Sequence, residues 1–154
     1  LLDREVFWIY DQVFFIASLL IAIVIFITAR LVTISPRFFL IPDAAGLATF
    51  GVAGTLVSLL AGAPWLVASF MGVITGTAGG MLRDVLCDET PVVFHSPLYA
   101  TVSWAGSLLF IGLLYSDLNT TLSAIIAGAL IFIGRILAIH YNIILPKFYF
   151  RESD

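Results

Sequence analysis

The residues best suited to chemistry lie in one stretch, Thr75-Gly76-Thr77-Ala78-Gly79-Gly80-Met81-Leu82-Arg83-Asp84. An arginine and an aspartate beside a long uncharged run are expensive in a membrane and mark ion or solute paths by default. Two adjacent glycines cost a helix about 2 kcal/mol relative to two alanines, and such pairs are a cause of kinks. A break at Gly79-Gly80 would free carbonyls on one half-helix and N–H groups on the other. Transporters hold ions in this way, and lipid tolerates irregular backbone only where it is covered by protein or lines a wet cavity. A plainer reading accounts for the same charges: Arg83 snorkels to an interface with Asp84 as its solvated partner. Arg135 lies about a turn and a half before the end of the last apolar run. It either snorkels as well or pairs with Asp84 or Asp43 as a charge latch.

Other chemistries find no support. His95 and His140 lack the further ligands at defined spacing that a metal site needs. There is no Gly-x-Ser-x-Gly nucleophile motif, and Gly79-Gly80 is not followed by the Lys-Ser/Thr of a phosphate loop. The single Cys87 rules out an internal disulfide framework. A net charge of -3 without a basic stripe argues against nucleic-acid binding. No enzyme is expected, and no cofactor; the ligands called for are permeant monovalent cations and bound lipid.

The elements that must position these residues are membrane helices. Of 154 residues, 61% are hydrophobic and 11% charged, with a mean hydropathy of +1.11. A soluble domain of this size leaves too much of its surface wet to hide such a composition. A bilayer core takes about 20 apolar residues per helix, and charge-free stretches place five spans. The first runs from about Gln12 to Arg30. The uncharged run from Ala44 to Leu82 is too long for one span and carries Gly62-Ala63-Pro64 at its middle, where one helix ends and the next begins. That divides it into a second span, about Asp43 to Ala61, and a third from Pro64 onward. The fourth runs from about Pro97 to Tyr115 and the fifth from about Thr121 to His140, with Pro146 beyond as a stop. Asp43, Ser96 and the Asp117-Leu118-Asn119-Thr120 stretch are placed to cap helix starts.

With five spans, Arg30, Arg37, Arg83, Lys147 and Arg151 share one side and only Arg4 lies on the other. That bias places the C-terminus in the cytoplasm. Trp8, Tyr10, Tyr141, Phe148 and Tyr149 suit interfacial belts. No signal peptide is visible and the first residue is not Met, so the sequence is expected to begin inside a longer protein. Gly72, Gly76 and Gly80 form two overlapping small-xxx-small steps, and Gly46, Gly51 and Gly54 enrich the second span in small residues. Close helix packing is the direct meaning of such faces.

The combined pattern from Asp43-Ala44-Ala45-Gly46-Leu47-Ala48, through Thr75-Gly76-Thr77-Ala78-Gly79-Gly80-Met81-Leu82-Arg83-Asp84, to Tyr99-Ala100 resembles the second repeat of small bacterial membrane proteins named for a glycine-transporter domain. They are related to the trimeric intracellular cation channels. The resemblance implies an all-α inverted-repeat fold of two three-helix units and a seventh helix (3+3+1). The five spans here would be the last five of seven. Residues 1–42 would end the first repeat, 43–117 form the second, and 118–154 supply the terminal helix and tail, all in a single transmembrane domain. The opening Leu2 to Trp8 looks like the tail of a first-repeat motif, with a faint echo in Leu86 to Phe94. The resemblance also implies a homotrimer in the cell membrane, with a cation pore inside each protomer lined by Gly-rich kinked helices.

The leading expectation is a K+/Na+ channel subunit. Its ion-path residues are Thr75, Gly76, Gly79, Gly80, Arg83, Asp84 and Asp43, with Asp43 and Asp84 supplying negative field. Gly72, Gly46, Gly51 and Gly54 pack helices, and Arg135 is the candidate latch. A second expectation is a secondary transporter of glycine or another small zwitterion, with a half-helix N-terminus for the carboxylate and an Asp for the amine. A third is a packing or assembly module without transport.

Overall fold

A computed structural model describes residues 12–31, 40–95 and 97–141 of the chain. Arg4, Trp8, Tyr10, Arg37, Ser96, Lys147, Phe148, Tyr149 and Arg151, on which much of the orientation, capping and belt reading rests, lie outside the described residues, as does the Arg30 side chain. The described residues form α1 (Gln12–Leu31), α2 (Leu40–Leu60), α3 (Trp65–Leu86), the short α4 (Val92–His95), α5 (Pro97–Tyr115) and α6 (Thr120–His140). Every span read from the sequence is a helix, displaced by no more than a few residues. Among the described residues, α2, α3, α5 and α6 each hold a stretch long and apolar enough to cross a bilayer, and α1 carries the apolar stretch Phe15–Thr28. The chain divides after Phe38 into two units; α1 belongs to the first and α2–α6 form the second.

In the second unit, helix ends are made by local chemistry. Gly62, at φ +82°, closes α2: its N–H donates to Leu59 O (2.9 Å) and that of Ala63 to Ser58 O (3.0 Å). This is a Schellman cap, and Pro64 follows as the N-cap of α3. The same pair of bonds recurs at Asp88, after α3, and at Asp117, after α5. Both aspartates sit in the left-handed region, at φ +58° and +57°, where Asp is tolerated better than most residues. Asn119 caps α6, its Oδ1 accepting from Thr121 N (2.9 Å).

Packing in this unit follows small residues. A Cβ on Gly72 would lie 2.5 Å from Gly51 O and 2.8 Å from Ser107 Oγ, and one on Gly76 would lie 3.0 Å from Leu47 O. Gly51, Gly54, Gly72 and Gly76 thus let α2 and α3 meet backbone to backbone, the geometry that drives association where lipid is as apolar as the side chains. Gly46 departs from its expected packing role: a Cβ there meets nothing within 4 Å. The reason is its turn of the helix, since Leu47 and Ala48 take the buried positions beside it. The interior is polar as well as apolar. Thr55, Ser69, Ser103, Ser107 and Ser123 are fully buried beside Phe110, Ala127 and Ile131, whereas Phe50, Val57, Ile74, Leu82, Ile125 and Ile133 face outward. That inversion suits a lipid surround.

Candidate functional site

Antiparallel neighbours bring the start of α2, the end of α3, the start of α5 and the end of α6 to one end of the unit. The sequence had spread the charged residues over almost a hundred positions; the fold gathers them here. Arg83 Nη1 donates to Asp43 Oδ1 (3.0 Å), while its Nε and Nη2 donate to Asp84 Oδ1 (2.9 and 2.8 Å). One guanidinium therefore bridges two carboxylates on different helices. The two aspartate side chains are 6% exposed, and that of Arg83 is 41% exposed. The acids are fixed inside and the cation reaches outward.

Tyr99 completes the arrangement. Its hydroxyl donates to Asp43 Oδ1 (3.2 Å), and the Arg135 guanidinium lies over its ring, 4.4 Å from the centroid. A desolvated cation–π contact of this kind is worth about 2 kcal/mol. Arg135 is thereby tied to the Asp43 side of the cluster through an aromatic intermediary. Nothing in the composition or spacing marked Tyr99 for this role; its only signal was its place at the end of the family-like pattern. The other oxygen of Asp84 accepts from Val92 N–H (2.9 Å), at the first residue of α4, a partner sequence reasoning also missed.

Two expectations are corrected. The first is the helix break: α3 is helical without interruption from Trp65 through Gly79 and Gly80 to Leu86. In a membrane each unsatisfied backbone group costs several kcal/mol, so the helix keeps its bonds despite two glycines. Gly80 serves close approach instead, because a Cβ there would lie 2.8 Å from Tyr99 Oη and 3.1 Å from Asp43 Oδ1. The second correction is Asp43, which is not an N-cap. The helix starts earlier, at Leu40, and Asp43 lies within its first turn, where its charge still complements the helix dipole, with Oδ1 accepting from Arg83 and Tyr99.

The remaining candidates fall into two rows along α3. Gly72, Gly76, Gly80 and Asp84 are each four residues on; the three glycines face α2 or α5, and Asp84 meets Val92 of α4. Thr75, Gly79 and Arg83 form the neighbouring row. Thr75 is exposed on one side, with its hydroxyl donating to Met71 O (2.7 Å) and its side chain lying against Gly54 of α2, whereas a Cβ on Gly79 would meet nothing within 4 Å. The expected ion-path residues thus divide between a packed seam and a more open face, which Gly54 of α2 borders at Thr75 and which ends at the Arg83 guanidinium. Such a face offers hydroxyl and backbone dipoles to a cation, and the bridge at its end offers two carboxylates already claimed by one arginine.

The family model described as "Glycine transporter" matches residues 40–115, which hold α2 to α5 and every member of the cluster except Arg135. The chain is 31% identical over 150 residues to the UPF0126 inner membrane protein YadS of Escherichia coli K12, covering 96% of this chain and 72% of that protein. It is 34% identical to a UPF0126 membrane protein of Vibrio cholerae, covering 93% of this chain and 60% of that one. Among solved structures it resembles the TRIC trimeric intracellular cation channel orthologue from Rhodobacter sphaeroides. The TM-score there is 0.83 at 32% identity, over 92% of this chain and 73% of the channel.

Proposed function

This chain belongs to the UPF0126 membrane-protein family, and from that premise we propose that it is a subunit of a monovalent-cation (K+/Na+) channel, gated where Arg83 bridges Asp43 and Asp84. The observation that carries the reading is the open row of α3: Thr75 and Gly79 lead to a half-exposed guanidinium held by two buried carboxylates. Cations move along Thr75 and Gly79, and the carboxylates draw them to the end of the row. With Arg83 docked, the two negative charges are shared with a tethered cation and the path is closed. With Arg83 displaced outward, Asp43 and Asp84 face the path. Similarity to a trimeric cation channel supports a homotrimer in the cell membrane, and the Lys/Arg bias supports a cytoplasmic C-terminus.

A second reading, a carrier of glycine or another small zwitterion, is favoured by the description of the matched family. Reconstitution separates the two. A channel gives ohmic single-channel K+ currents in planar bilayers, and Gly80→Leu, which drives a side chain into Tyr99 and Asp43, abolishes them. Unchanged currents in that variant would sink the pore assignment. Saturable uptake of labelled glycine into liposomes, without such currents, would favour the carrier, and silence in both assays an assembly module.

A further inference from the structure

Asp84 is held by more than Arg83. The whole turn that leaves α3 is wrapped around this one residue. Its carbonyl accepts from Cys87 N (3.1 Å) and Glu89 N (2.9 Å), and its Oδ2 accepts from Val92 N–H. Residues 87–90 between these points are exposed, with Asp88 in the left-handed conformation. On the far side of the turn, Val92 and Val93 pack against the core cluster that contains Tyr99. The loop therefore holds Asp84 through its backbone and carboxylate and is itself anchored by Val92 and Val93 on the core cluster to which Tyr99 belongs.

We propose that the Cys87–Val92 loop with α4 is the input to the gate, and that the Val92 N–H is a positioning group that sets the Asp84 carboxylate for Arg83. The proposal rests on the latch reading above. A carboxylate that gives one oxygen to Val92 has a fixed rotamer and presents the other to Arg83. Displacement of the loop, which lies outside the apolar spans, releases that rotamer and weakens the hold on the guanidinium.

Val92→Pro removes the donor and alters the side chain that packs against the core; Val92→Ala, which keeps the N–H and loses that packing, is the control and should keep the wild-type open-to-closed ratio. Proline is favoured at the first position of a helix, where its fixed φ fits and its missing N–H is least costly. In single-channel recordings of the full chain, Val92→Pro is expected to raise the open-to-closed ratio by roughly tenfold, the scale of one charge-assisted hydrogen bond, with single-channel conductance unchanged. Leu60→Ala, at an exposed position at the far end of α2, is expected to leave the ratio at the wild-type value. In an Asp84→Ala background Val92→Pro should add nothing. A Val92→Pro ratio equal to wild type, or an effect equally large without the Asp84 carboxylate, overturns the coupling while leaving the channel reading intact. A wild-type protein that conducts no cations overturns both. Should Val92→Pro fail to fold, amide exchange decides: the Val92 N–H of the otherwise unaltered chain should exchange at least tenfold faster in Asp84→Ala, and equal rates would overturn the coupling.

Discussion

Gly72, Gly76, Gly80 and Asp84 on one row of α3, and Thr75, Gly79 and Arg83 on the row beside it, are made of similar residues under opposite constraints. On the packed row the glycines are spaces already filled by another helix, by Gly51 O at one level and by Tyr99 Oη and Asp43 Oδ1 at another. On the open row Gly79 has room for a side chain and Arg83 has room to swing. The same helix turn thus carries glycine as a packing device and, one position away, glycine as bare backbone. A glycine's meaning in a membrane helix is set by what stands opposite, which spacing along one strand of sequence does not reveal.

The contrast can be broken most forcefully at Gly72. Leucine there meets the Gly51 carbonyl, which cannot move as a flexible side chain could, so Gly72→Leu is expected to cost more than about 3 kcal/mol. In detergent it should elute as an aggregate or unfold well below the wild-type temperature. Asp84→Ala comes next, at about 3 kcal/mol, because it strips a partner from the Arg83 guanidinium and from the Val92 N–H together. Thermal unfolding should show this, with the loss reduced when Arg83 is also replaced by Ala. Thr55→Val probes the packed seam away from the charges. Thr55 Oγ1 donates to Gly51 O (2.8 Å) and bonds Ser107 Oγ (3.0 Å), so valine should cost about 1.5 kcal/mol by leaving Ser107 buried without its partner. The smallest effect has the opposite sign. Gly79→Ala is expected to gain up to about 1 kcal/mol from helix propensity alone, while lowering single-channel conductance by placing a methyl group on the open row. A destabilised Gly79→Ala protein would erase the distinction between the rows.

Much of this fold is legible in the sequence, because its main determinants are local. Runs of apolar residues fix the spans, Gly62-Ala63-Pro64 separates α2 from α3, and Asn119 caps α6. The charged candidates were legible too, since Asp43, Arg83, Asp84 and Arg135 are conspicuous in so apolar a chain. Their partners were not. Tyr99 is one aromatic among many, and its contact with Arg135 joins residues 36 positions apart through helix packing that no local pattern encodes. Val92 contributes through its backbone, which every residue type but proline shares. The break expected at Gly79-Gly80 failed for a complementary reason: local propensity argued for it, and the cost of unpaired backbone in lipid outweighed that propensity.

The most direct test of the Arg83 bridge as the closed state is a comparison of wild type and Arg83→Ala in planar bilayers with symmetric KCl. Removing the tethered cation should leave Asp43 and Asp84 facing the path, so that the variant opens far more often than wild type while still conducting K+. An Arg83→Ala protein that folds and conducts with wild-type open probability would contradict the assignment.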